Sequence, residues 1–318
     1  MKIDVLALGE LLIDFTENGI SKQGNPMMEA NPGGAPCNAL SMLCRLGKKT
    51  EFIGKVGNDS FGRQLEEALK EVGIGRKGLK MDNEVHTTLA FVHTKADGDR
   101  EFSFYRNPGA DMMLSEEDID ETLLRSCKIF HFGSLSMTHE TCRKATKKAI
   151  SIAKENGAIL SFDPNLRQPL WHNLEEAREQ IAYGMEHCDI LKIADNELVW
   201  FTGMEDYEKG IQMLKKTYHI PLILLSMGKE GSRGYCGDVQ VEVPAIFQEN
   251  TIETTGAGDT FCACILNYVL EHGWKVYTKA ELEEMLPFAN AAASIITTRK
   301  GALRVMPTKE EVERLLRE

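Results

Sequence analysis

No stretch of this 318-residue chain approaches the roughly 18 consecutive apolar residues a membrane-spanning helix requires. The first ten residues, MKIDVLALGE, carry Lys2 but break their apolar run with Asp4 and Glu10, so they read as a strand rather than a secretory leader. Basic charge is also scarce. The 37 Lys and Arg face 48 Asp and Glu, and the net charge of −11 argues against a general affinity for nucleic acid or anionic membrane. A locally basic site for an anionic substrate remains compatible with that balance. The eight histidines show no paired ligand spacing, which speaks against structural zinc. The eight cysteines (Cys37, Cys44, Cys127, Cys142, Cys188, Cys236, Cys262, Cys264) include no CxxC pair and sit in apolar segments. They read as reduced core thiols of a cytoplasmic protein, and the sequon-like Asn58-Asp59-Ser60 then reads as chance.

What is present is a soluble globular composition, 42% apolar and 27% charged, in a chain long enough for one large α/β domain or two ordinary ones. Strand-like and helix-like patterns alternate. VLALG, TEFIGKVG, KIFHFG, AILSFD, DILKIA and PLILLS are short apolar runs, and between most of them lie helical periodicities. In SFGRQLEEALKEVG, for instance, Phe61, Leu65, Leu69 and Val72 share one face. The alternation predicts a mostly parallel sheet with helices on both faces, whose ligands bind at the carboxyl ends of strands. Two segments, at about residues 11–30 and 85–106, break the rhythm with paired short runs around polar turns (ENGISKQGNP and KADGD). They read as hairpins of a small β-sheet lid over the site, within a single domain spanning 1–318. KEEVERLLRE closes the chain as an amphipathic helix.

Two glycine motifs are discounted. Gly73-Ile-Gly75-Arg-Lys-Gly78 has GxGxxG spacing but comes after a helix, so Gly73 is expected to be its C-cap. The segment from Gly57 to Gln64 has Walker A spacing, yet Arg63 and Gln64 replace the required Lys and Ser/Thr, leaving a helix entry. Four other segments carry more. In NPGGAPCNAL, Gly33 and Gly34 suit either a tight turn or close approach of a ligand, and Asn38 adds a donor and an acceptor one turn into a helix. Asp14, in LLIDF, is an acid among apolar residues, costly without partners and able to grip a sugar diol. FDPNLR ends a buried strand, so Asp163, Asn165 and Arg167 either cap the next segment or meet phosphate and metal. Finally ETTGAGDTF places Gly256, Gly258 and Asp259 at the mouth of a buried helix. That pattern is either a capped turn or a row of bare N–H groups for an anion with a base beside it.

Together these segments resemble a known family. GGAPCNALSMLCRLGKKTEFIGKVGNDSFG and ETTGAGDTFCACIL are similar to the N- and C-terminal signatures of the ribokinase-like (PfkB) carbohydrate kinases, in the right order and across essentially the full chain. FSFYRNPGADMML, SFDPNLRQPLW and FANAAASIITTRKGALRVMP further resemble fructokinases. The resemblance implies an ATP-dependent kinase making fructose 6-phosphate. In it Gly256, Ala257 and Gly258 form an anion hole and Asp259 is the base. Asp14, Gly33, Gly34, Asn38, Arg106 and Arg167 would hold the sugar, while Asn165, Ser226, Gly228 and Asn290 line the nucleotide site. Glu197 would organise Mg²⁺ through water. Two departures stand out: Ala194 replaces the Asn of the family's NxxE pattern, and Glu253 replaces an Asp associated with potassium activation, which puts a K⁺ site in question. The runner-up is a 2-keto-3-deoxygluconate kinase, with Arg106 and Arg167 gripping a carboxylate, although RNPGAD is the fructokinase form of that segment. A catalytically inactive sugar-binding relative is the third reading. Exposed lid edges would suit a homodimer formed lid to lid.

Overall fold

Strand β1 (Ile3–Leu8) shows why the sheet must be covered twice. Its Val5 and Ala7 enter one apolar core while Leu6 and Leu8 enter another, the period of two that puts alternate side chains on opposite faces. The computed structural model describes residues 2–94 and 100–318. After β1 come β2 (Leu12–Ile20), β3 (Pro26–Gly33), α1 (Ala35–Arg45), β4 (Thr50–Gly57), α2 (Ser60–Val72), β5 (Gly75–Asp82), β6 (Leu89–Thr94) and β7 (Arg100–Tyr105). The chain continues through α3 (Glu121–Leu124), β8 (Cys127–Gly133), α4 (Glu140–Glu155), β9 (Ile159–Asp163), α5 (Leu174–His187) and β10 (Ile190–Ala194). It ends with α6 (Asp195–Thr202), α7 (Tyr207–Tyr218), β11 (Leu222–Ser226), β12 (Ser232–Cys236), β13 (Val239–Val243), α8 (Ala257–His272), α9 (Lys279–Ile296) and α10 (Lys309–Leu315).

The large sheet has the order β13-β12-β11-β10-β9-β8-β1-β4-β5. From β11 to β5 every neighbouring pair is parallel, and β12 and β13 extend the far edge antiparallel. Side chains of α1, α8 and α9 cover one face and those of α4, α5 and α7 the other, as the alternating pattern predicts. From β1 the chain proceeds to β4 and β5 on one side, then returns to β8 and runs to β11 on the other. That reversal opens a crevice at the carboxyl ends of β1 and β8, where ligands of such sheets bind. The small sheet, β3-β2-β6-β7, contains both predicted hairpins. The KADGD turn, residues 95–99, lies outside the described residues.

Local chemistry explains the discounted motifs. Asp59 caps α2 by accepting a hydrogen bond from Gly62 N–H at 2.8 Å, and Gly73 ends the helix in the left-handed region at φ 85°. The rest of the GxGxxG spacing falls inside β5, where a Cβ on Gly78 would strike the Phe52 carbonyl oxygen, so glycine there serves strand packing. The alternating pattern in the sequence did not mark β5 or the β12–β13 hairpin. Among the described residues no helix is long and apolar enough to cross a membrane.

Candidate active site

Helix α8 starts at Gly256, whose φ of 78° suits glycine and where a Cβ would also crowd Ala302. The helix is then buried continuously from Thr260 to Val269, so its N-terminus is held rigidly at the crevice. Its first i→i−4 bond runs from Thr260 N–H to the Gly256 carbonyl at 2.8 Å. The first-turn amides before it have no partner within the helix. Of these, Ala257 N–H closes the turn onto the Thr254 carbonyl at 3.2 Å, a tie that the sequence does not foretell for a residue assigned to the anion hole. The amides of Gly258 and Asp259, at the same helix N-terminus, take no part in that turn bond.

Asp259 Oδ2 accepts a hydrogen bond from Asn38 Nδ2 at 2.8 Å, joining α8 to the start of α1. Burial raises the Asp259 pKa to about 6, with Asp163 adding to the rise and Asn38, Lys192 and Arg167 working against it. A carboxyl with that pKa is mostly ionised near neutrality yet more basic than an ordinary aspartate, which suits a general base. Asn38 is buried, and its Oδ1 has no hydrogen-bond partner among the described residues. An orphaned buried acceptor costs stability unless a ligand supplies a donor.

Two cavities meet at this point. The smaller, of about 240 Å³, is walled by Asp14, Asn31, Gly34, Asn38, Arg167 and Asp259, together with Glu10, Asn165, Glu253 and Gly256. The larger, of about 450 Å³, runs over Ser226, Gly228 and Asn290 and has an apolar flank of Ile246, Phe247, Phe261 and Ala293. Lys192, Thr254 and Gly258 line both. Val92 and Phe104 of the small sheet also wall the smaller cavity, so that sheet contributes directly to it.

Most of the predicted residues converge here. Asp14 projects from β2 opposite Asn31 of β3, and Gly33 leaves the space its carboxylate fills, since a Cβ there would collide with Asp14 Oδ2. Gly34, at φ 122°, caps α1 in tight contact with the Glu10 carbonyl. Asn165 holds a left-handed φ of 44°, and Arg167 stands exposed at the rim. Asn290 donates from Nδ2 to the carbonyls of Val243 and Pro244 at 3.2 and 3.1 Å, fixing the end of β13 beside the larger cavity. Burial pushes Asp14 up to about 7, opposed by Arg167 and reinforced by Glu253 and Asp259.

Two predicted residues are placed elsewhere. Arg106 is buried, its Nε and Nη2 bonded to Asp111 at 2.8 and 2.7 Å and its Nη1 to Thr138 at 2.9 Å. It lines neither cavity, because Asp111 and Thr138 claim the donors a sugar would need. Glu197 is also behind the cavity walls. Its Oε1 accepts from Leu166 N–H at 2.6 Å and its Oε2 from Ala194 N–H at 2.9 Å, pinning the chain just beyond β9 and β10. Ala194 is thus the N-cap of α6, and Glu197 substitutes for the side-chain cap that alanine lacks. Among the described residues no group of three or more His, Cys, Asp or Glu is placed to hold a metal directly. Magnesium brought in on a triphosphate with its own waters, the way this ion usually binds, needs few direct protein ligands.

Several lining residues were not singled out from the sequence, among them the polar Lys192, Glu10 and Asn31. For Lys192 the signal was present: a lysine near the carboxyl end of an otherwise apolar buried strand. Glu10 accepts from Ala35 N–H at 2.9 Å through Oε1, and burial pushes it up to about 7. It stands just after β1, one residue past Gly9, where its spacing alone suggests only a strand end.

A parallel sheet with helices on both faces and a small sheet over its carboxyl edge, together with a glycine turn bearing an aspartate between a polar and an apolar cavity, is the architecture of a ribokinase-like sugar kinase. Residues 2–309 match the pfkB family carbohydrate kinase domain, and the chain belongs to that family. It is 41% identical to fructokinase-1 of Zea mays over 314 residues, 98% of this chain and 97% of that protein. Among solved structures, fructokinase with bound ATP from Xylella fastidiosa superposes with a TM-score of 0.90 at 30% identity, covering 100% of this chain and 99% of that one. A fructokinase double mutant from Vibrio cholerae O395, with fructose, ADP and potassium ion bound, gives 0.88 at 28% identity, covering 99% of each chain.

Proposed function

We propose that the protein transfers the γ-phosphoryl group of Mg-ATP to fructose, giving fructose 6-phosphate. The observation that carries this reading is the meeting of the two cavities at Gly258, with the Asp259 carboxylate on the polar side. The smaller cavity takes the sugar. Asp14, Asn38 Oδ1 and Asp259 offer acceptors for its hydroxyls, and the Asn38 bond aims Asp259 toward the hydroxyl that loses its proton. The larger, apolar-flanked cavity takes the nucleotide, which directs the triphosphate tail at the α8 amides. Positioning and charge stabilisation are what phosphoryl transfer mainly needs from a protein. Magnesium carried on the phosphates would supply neutralisation of their charge, and Glu197, whose oxygens hold the Leu166 and Ala194 amides, would act on it only through water and by fixing the ends of β9 and β10. The eight free cysteines accord with a reducing cytoplasm. The outer strands of the small sheet, β3 and β7, support pairing of two copies through the lid.

Charge favours fructose over a keto-acid. Glu10, Asp14, Glu253 and Asp259 all face the smaller cavity, which repels a second carboxylate, and Arg106 is withdrawn from it. Measuring ADP release with fructose, ribose, 2-keto-3-deoxygluconate, adenosine and fructose 6-phosphate should give the highest kcat/KM for fructose. Asp14→Ala should lower that value by about 1–3 kcal/mol of transition-state binding, as hydroxyls lose their acceptor. A preference for the keto-acid would return Arg167 to the role of carboxylate clamp. Sugar binding without turnover of any substrate would point to an inactive relative.

Glu253 bears on monovalent cations. Its Oε1 accepts from Gly301 N–H at 2.8 Å, and the side chain faces the sugar cavity with Asp14. On this reading the Gly301 amide occupies a carboxylate oxygen that a monovalent cation would otherwise use. Replacing potassium with tetramethylammonium at fixed ionic strength should slow the native enzyme only slightly and Glu253→Asp more strongly. Strong potassium stimulation of the native enzyme would refute this placement of the carboxylate.

A further inference from the structure

Lys192 is a lysine in the wrong place for mere solubility. Its strand neighbours Ile190, Leu191 and Ile193 are fully buried, and Lys192 itself is 6% exposed. Its Nζ lies 3.1 Å from Asp163 Oδ2 and 3.3 Å from Oδ1, across the pairing of β9 with β10. A buried ion pair of this kind contributes little net stability, since desolvation offsets most of the attraction and apolar replacements often do as well. The ammonium also has a second neighbour. A Cβ built on Gly258 would lie 3.0 Å from Nζ, so the charge sits against the turn that begins α8, on the wall common to both cavities. Burial alone would discharge the amine, but Asp163, Glu197 and Asp259 more than offset it and raise its pKa, so it is cationic at neutral pH.

We propose that Lys192 is a catalytic residue whose ammonium contacts the non-bridging oxygens of the phosphoryl group as it crosses between the cavities, with Asp163 as its positioning residue. In that step the sugar oxygen bonds to the γ-phosphorus and the bond to the β–γ bridging oxygen breaks. The electron pair leaves on ADP, and the hydroxyl proton passes to Asp259. Lys192 exchanges neither proton nor electrons. It stabilises charge in the transferring group, and Asp163 holds it where that charge develops. The α8 amides approach the same group from the helix side, so cation and dipole act together.

The proposal rests on the assignment of the two cavities to sugar and nucleotide, and its test is built to be independent of which sugar is used. Lys192→Gln alone would leave Asp163 buried and unpaired, so the informative variant is the double replacement Lys192→Gln with Asp163→Asn, which removes both charges and keeps both shapes. Its fold is checked by circular dichroism and thermal melting. With the sugar the native enzyme turns over fastest, kcat should fall roughly 10²–10³-fold, and the KM for sugar and the Kd for ADP should stay within about threefold. Calorimetry supplies a second readout. Aluminium fluoride should tighten ADP binding in the native protein with sugar present, and this tightening should be lost in the double variant. Lys192→Arg, which keeps the charge, should recover at least about tenfold of the lost rate. A folded double variant with near-native kcat, a defect confined to KM, or undiminished fluoride tightening would each overturn the proposal. Failure of fructose would appear in the native sugar panel alone and leave this comparison intact.

Discussion

Asp259→Asn is expected to lower kcat by roughly 10²–10⁴-fold while changing ATP affinity little. Asparagine keeps the size of the side chain and the helix start, but it cannot take a proton. Turnover within about threefold of native by the purified variant would show that Asp259 is not the base. The same carboxyl sets an acid limb. With its pKa at about 6, the ionised base is lost as pH falls through that value, so kcat/KM of the native enzyme should fall about tenfold per pH unit below it. Stability should move the other way. Asp14 and Asp259 are both raised above their ordinary 3.8, so between about pH 4 and 7 the native state holds protons the unfolded chain has released. The contribution of these groups therefore grows as pH falls through that window, and Asp259→Asn should flatten the trend.

Gly258→Val is expected to slow transfer severely while leaving the fold intact. The position is helical and imposes no left-handed backbone, so a side chain is tolerated locally, at a small propensity cost. What it cannot do is share space with the ammonium of Lys192, 3.0 Å from the new Cβ, or with a phosphoryl oxygen approaching the amides. Displacing those donors should cost about 10²-fold or more in rate. A folded variant, verified by circular dichroism, with native turnover would remove the anion-hole assignment. Loss of ATP binding together with loss of helix would instead indicate misfolding.

The strands and helices were legible because burial on both faces writes itself into short apolar runs, and helix ends write themselves into glycines such as Gly73. Asp14, Gly34, Asn38 and the Gly256 turn could be read for a similar reason. Each is a polar or flexible residue at a place where a bland core would have neither. Charged residues were harder, since sequence shows that a charge exists but not who claims it. The resemblance gave Arg106 to the sugar, yet Asp111 and Thr138 hold its guanidinium, and it gave Glu197 a role toward magnesium through water, while two backbone amides take its oxygens. Lys192 was overlooked because its partner lies 29 positions away, on the adjacent strand. Pairing across a parallel sheet leaves no local trace in the chain.

On the proposed reading, the acid that grips the sugar, Asp14, belongs to the small sheet, while the base and Asn38 belong to helices packed on the large one. A hexose, with several hydroxyls, can bond to both at once, whereas a single water brings one oxygen. On the proposed reading, the division of grip and base between two sheets is a safeguard against idle ATP hydrolysis: the nucleotide is spent when something long enough to span the gap has arrived.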